Sequence, residues 1–264
     1  MILTPCNNRL ILEPCSLPEL NYQIDPYIGC GHYCYYCYVL PQAVTDWRQE
    51  ILFHNDSTGR LEKEIAAIPP QTIYMGWHTD PYQPCEAECR QTRRILELLL
   101  EKGFSASILT KSDLVLRDLD LLQAMESASV SISVAFTNND VRCLFEANTN
   151  DTEKRVSALE RLQSEGIKTT ALLCPVIPYV SDVMPLIEML SEYTDKLWVY
   201  GLSITNRSDQ NWLYVDQILE TSFPGIRSRI NDAVFSRKHA YWERLRNELS
   251  DQQKKIKPVL SIHI

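Results

Sequence analysis

Short runs of β-branched and aromatic residues recur along the chain, each followed by a stretch with helical spacing. The runs are Tyr22 to Ile24, Thr72 to Met75, Ser105 to Leu109, Val130 to Val134, Thr169 to Leu173 and Leu197 to Tyr200. Strand followed by helix followed by strand is the rhythm of a parallel α/β sheet, and it predicts six β/α units. Between the strands, Leu114, Leu121 and Met125, joined by Val115, Leu119 and Leu122, keep the spacing of one buried helix face, with Ser112 or Asp113 as its cap. Val156, Leu159 and Leu162 do the same behind Asn150 and Glu153, which have capping-box spacing. Gly103 and Gly166 each precede a strand, where a residue tolerant of positive φ can end one helix and turn the chain.

From about Thr205 the strand rhythm stops, and a helical tail carrying Trp212, Phe235, Tyr241 and Trp242 is expected. Residues 225–246 hold Arg227, Arg229, Arg237, Lys238, Arg244 and Arg246 against Asp232 and Glu243, a pattern read first as a solvated basic helix face and second as a substrate-facing patch. No repeat, low-complexity tract or Gly/Ser linker divides the chain. The expectation is one domain, with a core over 1–204 and a helical extension over 205–264 packed on it.

A 45% hydrophobic, 23% charged composition over 264 residues excludes disordered and fibrous classes. The one long apolar stretch, Ala171 to Val180, is ten residues with two prolines, too short to span a bilayer. With no basic n-region or cleavage site near Met1, a cytoplasmic protein is expected. A net charge of −8 disfavours bulk binding to nucleic acid, which stays behind an unidentified substrate as a candidate partner. The nine cysteines, in such a compartment, point to metal ligands, catalytic thiols or small core residues rather than disulfides.

Three of them stand close together in Cys30-Gly-His-Tyr-Cys34-Tyr-Tyr-Cys37, just past the first strand. Three convergent thiolates need a cation, and thiolate suits both iron-sulfur clusters and zinc. If three cysteines hold a cubane, one iron is left open for a chelating small molecule. The alternative is a zinc site completed by His32 or a distant cysteine, in a structural or regulatory module.

The spacing C-x-x-x-C-x-aromatic-C resembles the cluster motif of the radical S-adenosylmethionine superfamily. The longer string Asp25-Pro-Tyr-Ile-Gly-Cys30 through Tyr38 is similar to the branch containing spore photoproduct lyase, and ordered blocks over residues 20–180 agree: Thr79 to Glu86, Thr110 to Asp118, Ser131 to Ser133, Glu153 to Arg155, and Cys174 to Pro178. The resemblance implies a partial (β/α)6 barrel with a helical C-terminal extension, carrying a 4Fe-4S cluster on Cys30, Cys34 and Cys37. It implies S-adenosylmethionine as cofactor, cleaved reductively to a 5′-deoxyadenosyl radical, and an electron donor such as flavodoxin or ferredoxin. By the same resemblance Tyr36 lies along the adenine, Thr79 and Asp80 meet the methionyl amino group, and Lys111 and Ser133 meet the carboxylate with Arg155 sharing that work. Tyr36 and Tyr38 match tyrosines that relay hydrogen in the lyase. The lyase's hydrogen-donating cysteine has no counterpart in Gly76 to Asp80; Cys85 is read as a small helix residue before it is read as a donor, and His78 as a structural histidine before an acid or base. Lesion repair on nucleic acid is the lower branch of this reading.

Overall fold

The computed structural model describes residues 1–7 and 9–264. Two short strands, β1 (Ile2–Cys6) and β2 (Leu12–Pro14), precede β3 (Tyr22–Ile24), the first expected strand; β4 (Tyr27–Ile28) and β5 (Glu50–His54) follow it. Then come α1 (Ser57–Ile65), β6 (Thr72–Met75), α2 (Glu86–Cys89), α3 (Gln91–Glu101) and β7 (Ser105–Thr110). A 3₁₀ turn over Asp113–Asp118 runs into α4 (Leu119–Ala124), followed by β8 (Ser129–Ser133), α5 (Asn139–Phe145), α6 (Thr152–Ser164) and β9 (Lys168–Val176). After α7 (Val183–Leu190) and β10 (Lys196–Gly201), the tail holds α8 (Gln210–Ser222), α9 (Arg227–Val234), α10 (Ala240–Gln253) and β11 (Val259–His263).

The main sheet has the order β2-β3-β6-β7-β8-β9-β10-β11, and every neighbouring pair but β2–β3 is parallel. A second sheet, β1-β5-β4, lies beside it. The outer face of the main sheet is largely apolar: Ile24, Ile73, Met75, Ile108, Val130, Ile132, Leu173 and Val199 are sealed under the helices. Strand alternation turns Gln23, Tyr74, Ser107, Ser133, Cys174, Trp198 and Tyr200 to the inner face. The sheet curls around that face. Burial pushes the Tyr74 phenol up, and Tyr200, four strands away, adds to the effect from across the opening. The order is linear, so the barrel is open between β2–β3 and β10–β11.

Gly103 and Gly166 adopt φ of +77° and +79°, as the turns before β7 and β9 require. Three features differ from the sequence reading. The helix expected from Leu114 begins as a 3₁₀ turn capped by Ser112, whose Oγ accepts from Leu114 N at 3.3 Å. Asn150 and Glu153 form no capping box: Asn150 Oδ1 accepts from Asp113 N and Glu153 Oε2 from Asn139 Nδ2, both tertiary partners. The tail is not wholly helical either. β11 adds a parallel strand to β10, and Tyr241, Trp242, Leu245 and Leu249 of α10 join the main core. Trp242 is fully buried, its indole N–H bonded to Ala233 O at 2.7 Å, and burying such a ring contributes on the order of 2 kcal/mol or more to holding the extension on the core. Among the described residues no helix is long and apolar enough to cross a membrane.

Candidate active site

The three cysteines lie on the loop leaving the carboxyl ends of β3 and β4. Gly29 opens the loop at φ +94°, and the Trp47 indole sits 2.7 Å from where its Cβ would be, so no other residue fits. The loop is held from three sides. Gln83 accepts from Gly31 N at 2.7 Å and donates to Gly29 O at 3.0 Å. Asn148 donates to Gly31 O at 2.9 Å, and its carbonyl accepts from His32 Nδ1 at 2.9 Å. Tyr35 N donates to Phe145 O, and Cys34 bridges to Glu146.

Burial pushes all three thiols up, with Asp80 adding to the effect at Cys30 and Glu146 at Cys34. Without a cation they would be protonated at neutral pH. The backbone amides of Val39 and Leu40 beside Cys37, and of Asp80 and His32 beside Cys30, act in the opposite direction. Hydrogen bonds from such amides favour thiolate, and they are the outer-shell contacts that tune sulfur ligands of clusters. Among the described residues no three His, Cys, Asp or Glu side chains converge on a point as a single ion requires. His32 Nε2 lies 3.2 Å from Asp80 Oδ2. A cubane presents a separate iron to each thiolate, and the donor set fits it.

Behind the loop sits a buried polar knot. Glu146, fully buried, accepts from the Tyr36 phenol, from Arg155 Nη2 and from Thr149 Oγ1 at 2.8 Å, with Lys111 Nζ at 3.4 Å. Burial alone would raise its pKa, but the two cations hold the carboxyl well below the usual carboxylate range. Lys111 Nζ also donates to Ser133 Oγ at 2.7 Å and Cys174 O at 3.2 Å, and stands 5.6 Å over the Tyr36 ring. The carboxylate thus sits between two cations, the buried Arg155 and the partly exposed Lys111, next to the cysteine loop.

Each expected residue has a place in this arrangement. Lys111 and Ser133 come together at the ends of β7 and β8. Arg155 stands behind them, its guanidinium donating to Asn150 O, Ser133 O, Glu146 and Thr149. Asp80 accepts from Tyr82 N, Thr110 Oγ1 and Lys111 N at 2.8, 2.6 and 2.7 Å, and these contacts with His32 hold its pKa down against burial. It ties the cysteine loop to β7. Thr79 N donates to Asp25 Oδ1 at 3.1 Å. The Tyr36 phenol is committed to Glu146, whereas Tyr38 is half-exposed and donates to Trp77 O. Cys85 caps α2 and packs beside Tyr27 against the same cluster that Cys30 and Cys37 line. His78 pairs through Nδ1 with Asp25 Oδ2 at 2.9 Å.

Asp25, Gln83 and Asn148 were not among the expected site residues. Asp25 and Gln83 lie inside the ordered motif blocks, so their strings held the signal; Asn148 has none.

Comparison with known proteins agrees with this geometry. The model of the Radical SAM superfamily matches residues 24–190. An uncharacterised protein of Methanocaldococcus jannaschii is 32% identical over 189 residues, covering 70% of this chain and 71% of that one. One from Mycobacterium tuberculosis is 27% identical over 191 residues, covering 67% of this chain and 56% of its own length. Among solved structures, spore photoproduct lyase superposes with a TM-score of 0.71 at 15% identity, over 98% of this chain and 81% of the lyase. SuiB of Streptococcus suis, solved with S-adenosylmethionine bound, gives 0.57 at 12%, over 90% of this chain and 49% of SuiB. At these identities the structural likeness establishes the fold.

Proposed function

Since the chain belongs to the radical SAM superfamily, we propose that it is an enzyme using a 4Fe-4S cluster and S-adenosylmethionine to abstract hydrogen from a substrate. The observation that carries this is the pairing of a three-thiol loop with the partly exposed Lys111 ammonium held beside it by Ser133 and Glu146.

Cys30, Cys34 and Cys37 hold the cluster. Lys111 and Ser133 take the methionyl carboxylate, the anion that completes the charge of the Lys111–Glu146–Arg155 knot. Asp80, with its oxygens engaged by the loop, supplies negative potential for the methionyl amino group, and Thr79 forms the adjoining wall. Tyr36 is locked by Glu146, so its loop backbone is the surface left for the adenine. When bound and reduced, by a carrier such as flavodoxin or ferredoxin, the cluster supplies the electron that cleaves the cofactor to methionine and a 5′-deoxyadenosyl radical. Tyr38, half-exposed with its phenol near Cys37 and Cys174, is the relay candidate on the substrate side.

The test is anaerobic reconstitution with iron and sulfide, then dithionite and S-adenosylmethionine. The expected result is brown protein forming 5′-deoxyadenosine, and a Cys34→Ala variant with neither cluster nor product. Colourless, zinc-loaded protein, or full cluster content in the variant, overturns the reading.

A further inference from the structure

The structure gathers the basic tail residues at the mouth of the barrel. Tyr179, in the loop leaving β9, carries the Arg229 guanidinium 4.3 Å above its ring and packs 4.8 Å from the Tyr241 ring, which in turn lies under Arg244. Arg237 stacks on Trp242 and reaches Gly201 at the carboxyl end of β10, where a Cβ would lie 2.7 Å from Nη1. Arg229, Arg237 and Arg244 are exposed, and among the described residues no carboxylate pairs with them. Asp232 and Glu243 share the segment without forming an ion pair, and Arg227 alone of its cations is neutralised, by Asp216 and Glu220. In a chain of net charge −8 this is a concentrated cationic rim.

Next to the rim, on the inner side of the same strand ends, runs an aromatic ladder. Tyr200 and His263 are register partners on β10 and β11, with ring centroids 4.5 Å apart and planes within 8°. Trp198 lies 6.0 Å from both, and its buried indole N–H has no partner. His263 is exposed, so one face of the stack is open.

Guanidinium groups interleaved with aromatic rings beside an open stack match one ligand chemistry, a chain of phosphates carrying planar bases. We propose that this rim and ladder form a binding track for single-stranded nucleic acid, phosphates on Arg229, Arg237 and Arg244 and a base on the Tyr200–His263 pair. The track requires accessible base faces, which a duplex hides. The identity of the mouth rests on the radical reading above, but the test is read without radical chemistry, so either can fail alone.

The probe is a fluorescein-labelled deoxythymidine 12-mer, titrated with the reconstituted protein and followed by anisotropy at 50–200 mM salt. Three phosphate contacts predict a slope of log K against log salt of about −2. Arg229→Glu with Arg244→Glu should flatten the slope and weaken binding at least tenfold. His263→Ala should weaken binding roughly tenfold at unchanged slope, the signature of lost stacking rather than lost charge. Both variants are to melt as the parent does; if the double variant does not, Arg229→Gln and Arg244→Gln singly replace it. No binding at 50 mM salt, tighter binding to the duplex of the same sequence, or binding indifferent to charge reversal overturns the proposal.

Discussion

Glu146→Gln keeps the shape of the side chain and removes the one negative charge of the buried knot. Arg155, 1% exposed, and Lys111, 17% exposed, then face each other without a counter-ion, and the Tyr36 phenol loses a charged acceptor. Breaking a buried pair by removing one partner costs about 3–5 kcal/mol. For a domain of this size about 1 kcal/mol lowers Tm by roughly 2 °C, so the expected drop is about 6–10 °C. The assay is thermal unfolding followed by circular dichroism from pH 8 to pH 3. Because Glu146 ionises well below its unfolded value, its stabilisation is fully present above the unfolded pKa of about 4.3 and is lost as pH falls toward the folded one. The gap between parent and variant should therefore be flat from pH 8 to about 5 and narrow below about 4. Adding Arg155→Met should recover part of the loss, since the second buried charge leaves with it. A variant melting within 2 °C of the parent at pH 7, or a gap growing toward acid, would refute the electrostatic account of the knot.

Two further outcomes follow from the same side chains. Lys111→Met preserves the stem and removes the ammonium, so S-adenosylmethionine affinity measured by calorimetry on reconstituted protein should fall about 10- to 100-fold, the value of a charge-assisted bond; unchanged affinity would remove Lys111 from the carboxylate. The hydrogen bond His78 donates to Asp25 raises the His78 pKa, so its imidazolium stabilises the fold below the unfolded pKa of about 6.5 and the contribution fades as pH rises through the folded value. An NMR titration should place the His78 midpoint above that of an ordinary histidine and lower it in Asp25→Asn.

The six core strands were legible because each carries apolar residues on its helix-facing side, a signal contained in a few consecutive residues. β1, β2, β4, β5 and β11 were not. β1, β2, β4 and β11 are short edge strands and β5 is the middle of the small sheet, and their existence depends on distant partners: β1 meets β5 and β11 meets β10. The site divides in the same way. The cysteine triplet is local and could be read; Lys111, Ser133 and Arg155 could be named from motif blocks, but not their arrangement. Glu146 could be suggested as a partner for Arg155, yet nothing in Phe145-Glu-Ala147 announces that it also takes Tyr36 and Lys111, because that knot exists only once four separate elements are folded together. Asn150 and Glu153 show the converse, a local pattern overruled by tertiary partners.

The pairing of β11 with β10 also bears on how the molecule is made. Some sixty residues and three helices separate the two strands, so the edge of β10, with Trp198 and Tyr200 on it, stays bare while the intervening chain is synthesised and packed. Closing so long a loop is slow, and an unpaired strand edge is a template for pairing with another chain. Docking of β11 thus both covers an otherwise bare strand edge and builds the Tyr200–His263 stack. A nascent chain acquires its sheet before it acquires that side of its mouth, and solubility during biogenesis depends on α8 to α10 docking early enough to deliver the final strand.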